Sequence, residues 1–192
     1  MSTKKTRLLD WNDIPQFPRA SYEIDVGWGY LESQIATAIK DGLDLDPAFQ
    51  RAHVWTRKQQ TQYVEYIARG GEVGKNLTFN HTMWDRCVGT PPPGCYTIVD
   101  GKQRLEAVRV FMRGELPIFA ELDPSGIGYV SSDLTGHMRM HRLTFKWRVC
   151  TLASKKELLE LYLNINAGGT PHTKAELDKV RMMLATAIDA GD

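Results

Sequence analysis

Ten consecutive residues, Tyr96-Thr97-Ile98-Val99-Asp100-Gly101-Lys102-Gln103-Arg104-Leu105, restrict the fold more than any other stretch of this chain. An apolar run meets an Asp-Gly turn, and apolar residues then recur at Leu105, Val108, Phe111 and Met112. The pattern changes from a strand to a helical period within a few residues, so the backbone must turn sharply between them. Gly114 is placed to stop the helix. Asp100 is placed to cap its start, where a carboxylate can accept the backbone N–H groups of the first turn. Lys102 and Arg104 follow at once, where the helix dipole is already positive and each cation costs a few tenths of a kcal/mol, up to ~1. Two readings account for them: a bound anion, since first-turn N–H groups with Lys and Arg make a phosphate site, or two side chains that extend into water.

The chain has 192 residues, 42% apolar and 24% charged, the balance of an ordinary soluble protein with one domain and a proper core. Its net charge of +1 gives no overall attraction to nucleic acid, so a nucleotide or nucleic-acid site must be a local cluster. No apolar run is long enough to span a bilayer and no secretion signal is present, so a cytoplasmic protein without a membrane partner is expected. Cys87, Cys95 and Cys150 are odd in number and irregularly spaced, which fits a reducing compartment. Asn76-Leu77-Thr78 and Asn80-His81-Thr82 match the glycosylation sequon and are read as chance matches.

Residues 1–20 are polar, with Pro15 and Pro18, and read as a loose arm; residues 21–192 read as a single domain. Leu31, Ile35 and Ile39 predict a helix over Tyr30 to Lys40, ended by Asp41-Gly42. Pro47 makes the next segment extended. Thr56 with Gln59 forms a capping box for a helix to about Ala68, with Tyr63, Tyr66 and Ile67 inward. Strands are predicted at Leu77 to Asn80, at Tyr96 to Val99 and, entered through Pro117, at Leu116 to Leu122. Asp123 to Arg142 has no clear period and reads as a long loop. Strict alternation over Leu143 to Cys150 predicts a half-buried strand with Lys146 and Arg148 on its open face. Ser154 with Glu157 opens a helix with Leu158, Leu161, Tyr162 and Ile165 inward. Thr173 with Glu176 opens a last helix with Leu177, Val180, Leu184 and Ile188. The order is that of a helix-rich α+β fold with about four short strands.

Three polar segments lie at element boundaries: Asp100-Gly101-Lys102-Gln103-Arg104; Phe49-Gln50-Arg51 with His53 and Trp55 behind it; and Asn164-Ile165-Asn166-Ala167-Gly168-Gly169-Thr170. Brought together, they supply two Arg, a Lys, helix-start N–H groups, amide side chains and a Gly-Gly turn, the inventory of a polyphosphate or nucleic-acid backbone site. Asp100 could face a Mg²⁺ held by phosphates. The alternatives remain open residue by residue: Phe49 and Trp55 as core, and Gly168-Gly169 as a helix C-cap. Neither the Walker A loop nor G-x-G-x-x-G occurs. His137 and His141 stand one helical turn apart without the Glu of a metalloprotease, and Cys87 and Cys95 are too far apart for a zinc knuckle, so no zinc site is expected. No nucleophile arrangement can be argued from spacing.

Taken in order, Phe49-Gln50-Arg51 with Trp55, Val99-Asp100-Gly101-Lys102-Gln103-Arg104-Leu105, and Asn166-Ala167-Gly168-Gly169-Thr170-Pro171 leading to Glu176-Leu177 resemble the DGQQR-motif domain (domain of unknown function 262) at the N-terminus of GmrSD-type modification-dependent restriction enzymes. The resemblance spans most of the chain after about Asp46. It implies a ParB/sulfiredoxin-like α+β fold with the Asp-Gly-x-Gln-Arg segment at the mouth of a site. It also implies binding or hydrolysis of a nucleoside triphosphate with Mg²⁺, and DNA sensing or cleavage. Two departures stand out. Lys102 replaces the usual Gln, keeping a donor and adding charge, and Asn164 stands where many relatives carry a basic residue. The second, His-based nuclease domain of such enzymes has no counterpart before Asp192, so cleavage by it is not expected of this chain, and a short stand-alone form suggests a phage or mobile-element protein.

On this reading Lys102 and Arg104 neutralise phosphate, with N–H groups near Gly101 and Gln103 cradling it. Asp100 holds Mg²⁺ or positions water, and Arg51 closes the far side. Gln50 and Asn166 add hydrogen bonds, and Gly168-Gly169 permits close backbone approach. Asp100, Gln103 and Arg104 are the candidate catalytic residues. The expected partners are a nucleotide, DNA, and a second copy of the chain or a separate effector protein. The rival readings are a non-enzymatic module that binds DNA or a partner through the same cluster, and a ParB-like nuclease.

Overall fold

Alternation of side chains across a pleated strand lets one strand serve two cores, and Tyr96–Asp100 does so. Ile98 enters one apolar cluster and Val99 another, both wholly buried. The computed structural model describes residues 22–50, 54–84, 92, 94–134, 143–166 and 174–189. Its strands are β1 (Tyr22–Gly27), β2 (Leu43–Asp44), β3 (Asn76–His81), β4 (Tyr96–Asp100) and β5 (Thr144–Cys150). Its helices are α1 (Leu31–Lys40), α2 (Arg57–Ala68), α3 (Lys102–Met112), α4 (Lys155–Asn166) and α5 (Lys174–Asp189). The sheet runs β1-β5-β3-β4-β2, with β1–β5 and β3–β4 antiparallel and β5–β3 and β4–β2 parallel, so the fold is α+β around a mixed sheet. The larger cluster joins the sheet to α1, α2 and α3, and the smaller packs Phe49 and Val99 against Leu158, Leu159, Tyr162 and Val180 of α4 and α5.

Local signals placed most elements. The α2 capping box is formed: Thr56 Oγ1 accepts from Gln59 N, and Thr56 N donates to the Gln59 side chain. The box at Ser154 and Glu157 is formed in the same way. Thr173 lies outside the described residues, as do the arm over 1–20, Cys87, His137 and His141.

Three expectations are corrected. The α2 stripe is rotated: Gln60, Val64 and Ile67 are buried while Tyr66 is exposed, its ring lying over Gly71 and its hydroxyl accepting from Val73 N. On α1 and α5, Ile39 and Ile188 face water, and Ala38 and Ala187 take the inward places. The strand expected at Leu116 to Leu122 does not form. Ile118 makes only an isolated bridge to Tyr129, because Pro117 lacks a donor and Phe119 turns into the left-handed region at φ 55. Glu65 accepts from Phe119 N and holds that turn. The described part of the 123–142 loop is ordered by local bonds: Asp123 accepts from Ser125 N, Ser125 Oγ and Gly128 N, which holds its carboxyl below the ordinary value.

Strand β1 has no strong pattern of its own, and its partner decides it. Glu23 and Asp25 stand directly opposite Arg148 and Lys146 of β5, two cross-strand charge pairs on the open face. On β3, Asn80 is wholly buried, donates to Leu152 O at 3.0 Å and accepts from Leu152 N at 2.7 Å, so this sequon is closed to modification in the folded chain.

His81, buried at the end of β3, accepts from Met83 N through Nδ1 at 3.2 Å, and burial holds its pKa below the ordinary 6.5. The unfolded chain therefore binds more protons between the folded and unfolded values. The contribution of His81 to stability is complete above pH ~6.5 and is lost as pH falls toward and through the folded value. Urea midpoints at pH 7.5 and 5.5 should fall on acidification, and His81→Asn should flatten that slope. An equal slope in the variant would contradict this.

Candidate functional site

The turn between β4 and α3 is built for glycine. Gly101 has φ 101, and a Cβ there would lie 2.5 Å from Leu77 Cδ2 and 3.3 Å from the Asn76 carbonyl oxygen. Gly101 is the N-cap and offers no side-chain cap, and the first turn of α3 holds no acidic residue. Asp100 is thus not the N-cap that sequence reasoning made it. The tight turn carries it one place too far back, and its carboxylate accepts instead from Arg104 Nη2.

Both cations of the motif are paired with carboxylates. Arg104 lies back along Asp100 and beside Gly74, whose carbonyl accepts from the Tyr63 hydroxyl at 2.8 Å. Burial pushes the Tyr63 phenol up, Arg104 opposes that, and Asp100 adds to it. Lys102 Nζ donates to Asp46 on the loop after β2 and, by that bond and its charge, holds the Asp46 carboxyl below the ordinary value. Neither cation simply extends into water.

The two glutamines tie chain segments together. Gln103 is buried, and its Oε1 accepts from Val54 N at 2.9 Å and Trp55 N at 3.1 Å, holding the approach to α2 against the start of α3. Gln50 Nε2 donates to Ile98 O at 3.0 Å and Val99 O at 2.8 Å. Strand β2 ends after pairing with Tyr96 and Thr97, so Gln50 supplies donors where that ladder stops. Gln50, Asp100, Gly101, Lys102, Gln103 and Arg104 are therefore brought together. Asn166 sits at the end of α4, where its amide donates to Tyr162 O at 2.7 Å, and the Tyr162 ring packs edge-on to Phe49 at 5.3 Å. Phe49 is core, the blander of its two readings. Arg51, Gly168 and Gly169 lie outside the described residues.

Beside Lys102 opens a cleft of about 480 Å³, lined by Leu45, Trp55, Arg57, Gln60, Lys102, Leu105, Glu106, Arg109 and Val110. Its lining combines four apolar side chains with three cations, one carboxylate and the amide of Gln60. Trp55, half-buried, meets the ring of Tyr63 on α2 edge-on at 5.5 Å. Arg109 is held by Glu32 of α1 through Nε–Oε1 at 2.7 Å and Nη2–Oε2 at 3.1 Å, which lowers the Glu32 carboxyl pKa. Sequence reasoning missed Arg57, Glu106 and Arg109. The available signal was spacing: Lys102, Glu106 and Arg109 fall on one face of a helix. Among the described residues no cluster of three His, Cys, Asp or Glu could hold a metal by itself.

No match was found among curated proteins or among solved structures. The family profile of the GmrSD restriction endonuclease N-terminal domain matches residues 33–183. The matched stretch begins inside α1, ends inside α5 and contains every residue of the cleft and of the Asp-Gly-Lys-Gln-Arg turn. The chain belongs to the family of GmrSD restriction endonuclease N-terminal domains.

Proposed function

We propose that this chain serves DNA restriction as a nucleotide-binding domain that hydrolyses a nucleoside triphosphate in the cleft beside α3. The observation that carries the reading is the cleft itself, where Arg57, Lys102 and Arg109 line one cavity with Leu45, Trp55, Leu105 and Val110. Its volume falls within the roughly 300–1,000 Å³ of small-molecule sites. The polyphosphate would lie over the start of α3, where Gly101 places no side chain over the first turn and the helix dipole favours an anion. The base would rest against Trp55.

A Mg²⁺ would be shared with the phosphates. It keeps several waters and needs one or two carboxylates besides phosphate oxygens, and Asp100 is the motif's carboxylate. Such an ion would supply neutralisation of charge on the transferring phosphoryl group. Arg104 would then hold Asp100 in place, Gln103 would hold Trp55, and Gln50 would hold the end of β4. Arg51 would close the far side, Asn166 would add a hydrogen bond, and Gly168-Gly169 would permit close backbone approach. The ParB/sulfiredoxin-like relationship belongs to the same proposal.

Lys102→Ala and Arg57→Ala should each weaken Mg-nucleotide binding about ten- to hundredfold, the scale of a lost charge-assisted hydrogen bond. Arg104→Ala should slow turnover more than it weakens binding. Titration calorimetry and phosphate release measure both. Equal, negligible binding by the parent chain and all three variants would overturn the reading.

A second reading has its own support. Lys102 and Arg104 are each paired with a carboxylate, as expected of a structural motif in a non-enzymatic module that binds DNA, a second copy or an effector protein. That module would show no turnover, steep salt dependence of DNA binding, and thermal stabilisation by DNA and not by nucleotide.

A further inference from the structure

The three cations lining the cleft are not equally available. Arg57 is exposed; Arg109 meets Glu106 of its own helix at 3.4 Å, and the closer partners are Asp46 on Lys102 and Glu32 on Arg109. These two carboxylates come from elements other than α3: Asp46 from the loop after β2, Glu32 from the first turn of α1. Exposure within each pair is lopsided. The Lys102 side chain is 16% exposed and Asp46 81%; Arg109 is 26% exposed and Glu32 53%. The cations are set into the wall, and their partners stand in water. The Asp100–Arg104 pair differs, with both side chains largely covered at 28% and 21%.

We propose that Asp46 and Glu32 are internal counter-ions of the cleft, displaced when a polyphosphate binds. The inference rests on the nucleotide reading and adds its regulation. A carboxylate and a phosphate oxygen make the same charge-assisted bond to an ammonium or a guanidinium, so they compete for one position. An exposed carboxylate gains little from its pair, since solvent and salt screen it, and it returns to water at small cost. Arg109 meets Glu32 with two nitrogens, the fork a phosphate would also use. Binding would thereby release the loop that carries Asp46 and the start of α1. By linkage, whatever holds those two segments in place weakens polyphosphate binding by the same factor.

The sign of the effect separates this from a supporting role. Asp46→Asn and Glu32→Gln should each tighten the binding of inorganic tripolyphosphate and of Mg-nucleotide, by about three- to tenfold in low salt. The gain should shrink as salt rises. Glu121→Gln, which breaks the exposed pair with Arg69 at the far end of α2, should change nothing. Titration calorimetry on the full chain reads all four proteins. Tighter binding in both cleft variants with an unchanged control supports counter-ion exchange. Unchanged or weaker binding in either cleft variant, against measurable binding by the parent chain, overturns the exchange and leaves the nucleotide reading standing. An absence of binding in all four overturns both.

Discussion

Gly101→Ala should lower the free energy of unfolding by on the order of 2–5 kcal/mol, the largest effect expected of any single-methyl change near the site. Two terms add. An alanine held near φ 101 carries left-handed strain, and its methyl would stand 2.5 Å from Leu77 Cδ2 and 3.3 Å from the Asn76 carbonyl oxygen. Leu77 is wholly buried in the larger core and cannot swing aside. The strand–turn–helix junction must therefore open, moving Lys102 and Arg104 together. Urea unfolding followed by circular dichroism gives the value. Gly114→Ala is the comparison, because that glycine also has positive φ, 76, but nothing lies within 4 Å of its Cβ position. If the two variants lose equal stability, the close approach to Leu77 contributes nothing and the turn is less tightly packed than described.

Gln103→Leu should lower stability by about 2–3 kcal/mol, the scale of leaving two backbone donors without their acceptor, reduced because Val54 is exposed and water can serve it. Volume is nearly conserved, so packing does not explain a loss of that size. The same change should loosen Trp55 and Arg57 at the cleft and weaken nucleotide binding beyond what the stability change implies. Gln103→Glu keeps the acceptor and should retain most of both. Chemical denaturation, with the fluorescence of the tryptophans as a second probe, distinguishes them. A leucine variant as stable as the parent chain would show that the bond to the 54–55 segment is dispensable.

Much of the fold was legible because its causes are local. Capping boxes at Thr56 and Ser154 depend on residues three apart, and alternation over Leu143 to Cys150 follows from the pleat alone. The polar turn at Asp100 to Arg104 was legible as a strand-to-helix junction because Asp-Gly marks a turn and Gly101 takes a positive φ there. What escaped depends on distant partners. Strand β1 forms through charges opposite it on β5, more than a hundred residues away. Tyr66 rather than Gln60 looked like core, since no periodicity shows that an amide will be buried at the α2 packing face.

The identity of the cleft follows the same division. From the sequence alone came a strand, a glycine turn and a helix that begins with two cations, all set by backbone geometry and side-chain period within about ten residues. Only the tertiary structure decided what those cations meet. Asp46 and Glu32 reach Lys102 and Arg109 across 56 and 77 positions of chain. Charge pairing at that separation depends on how the sheet places loop and helix, which no local pattern encodes. The cleft exists for the same reason: its walls come from segments that touch only after β2, β4 and the packed α2–α3 pair bring them together.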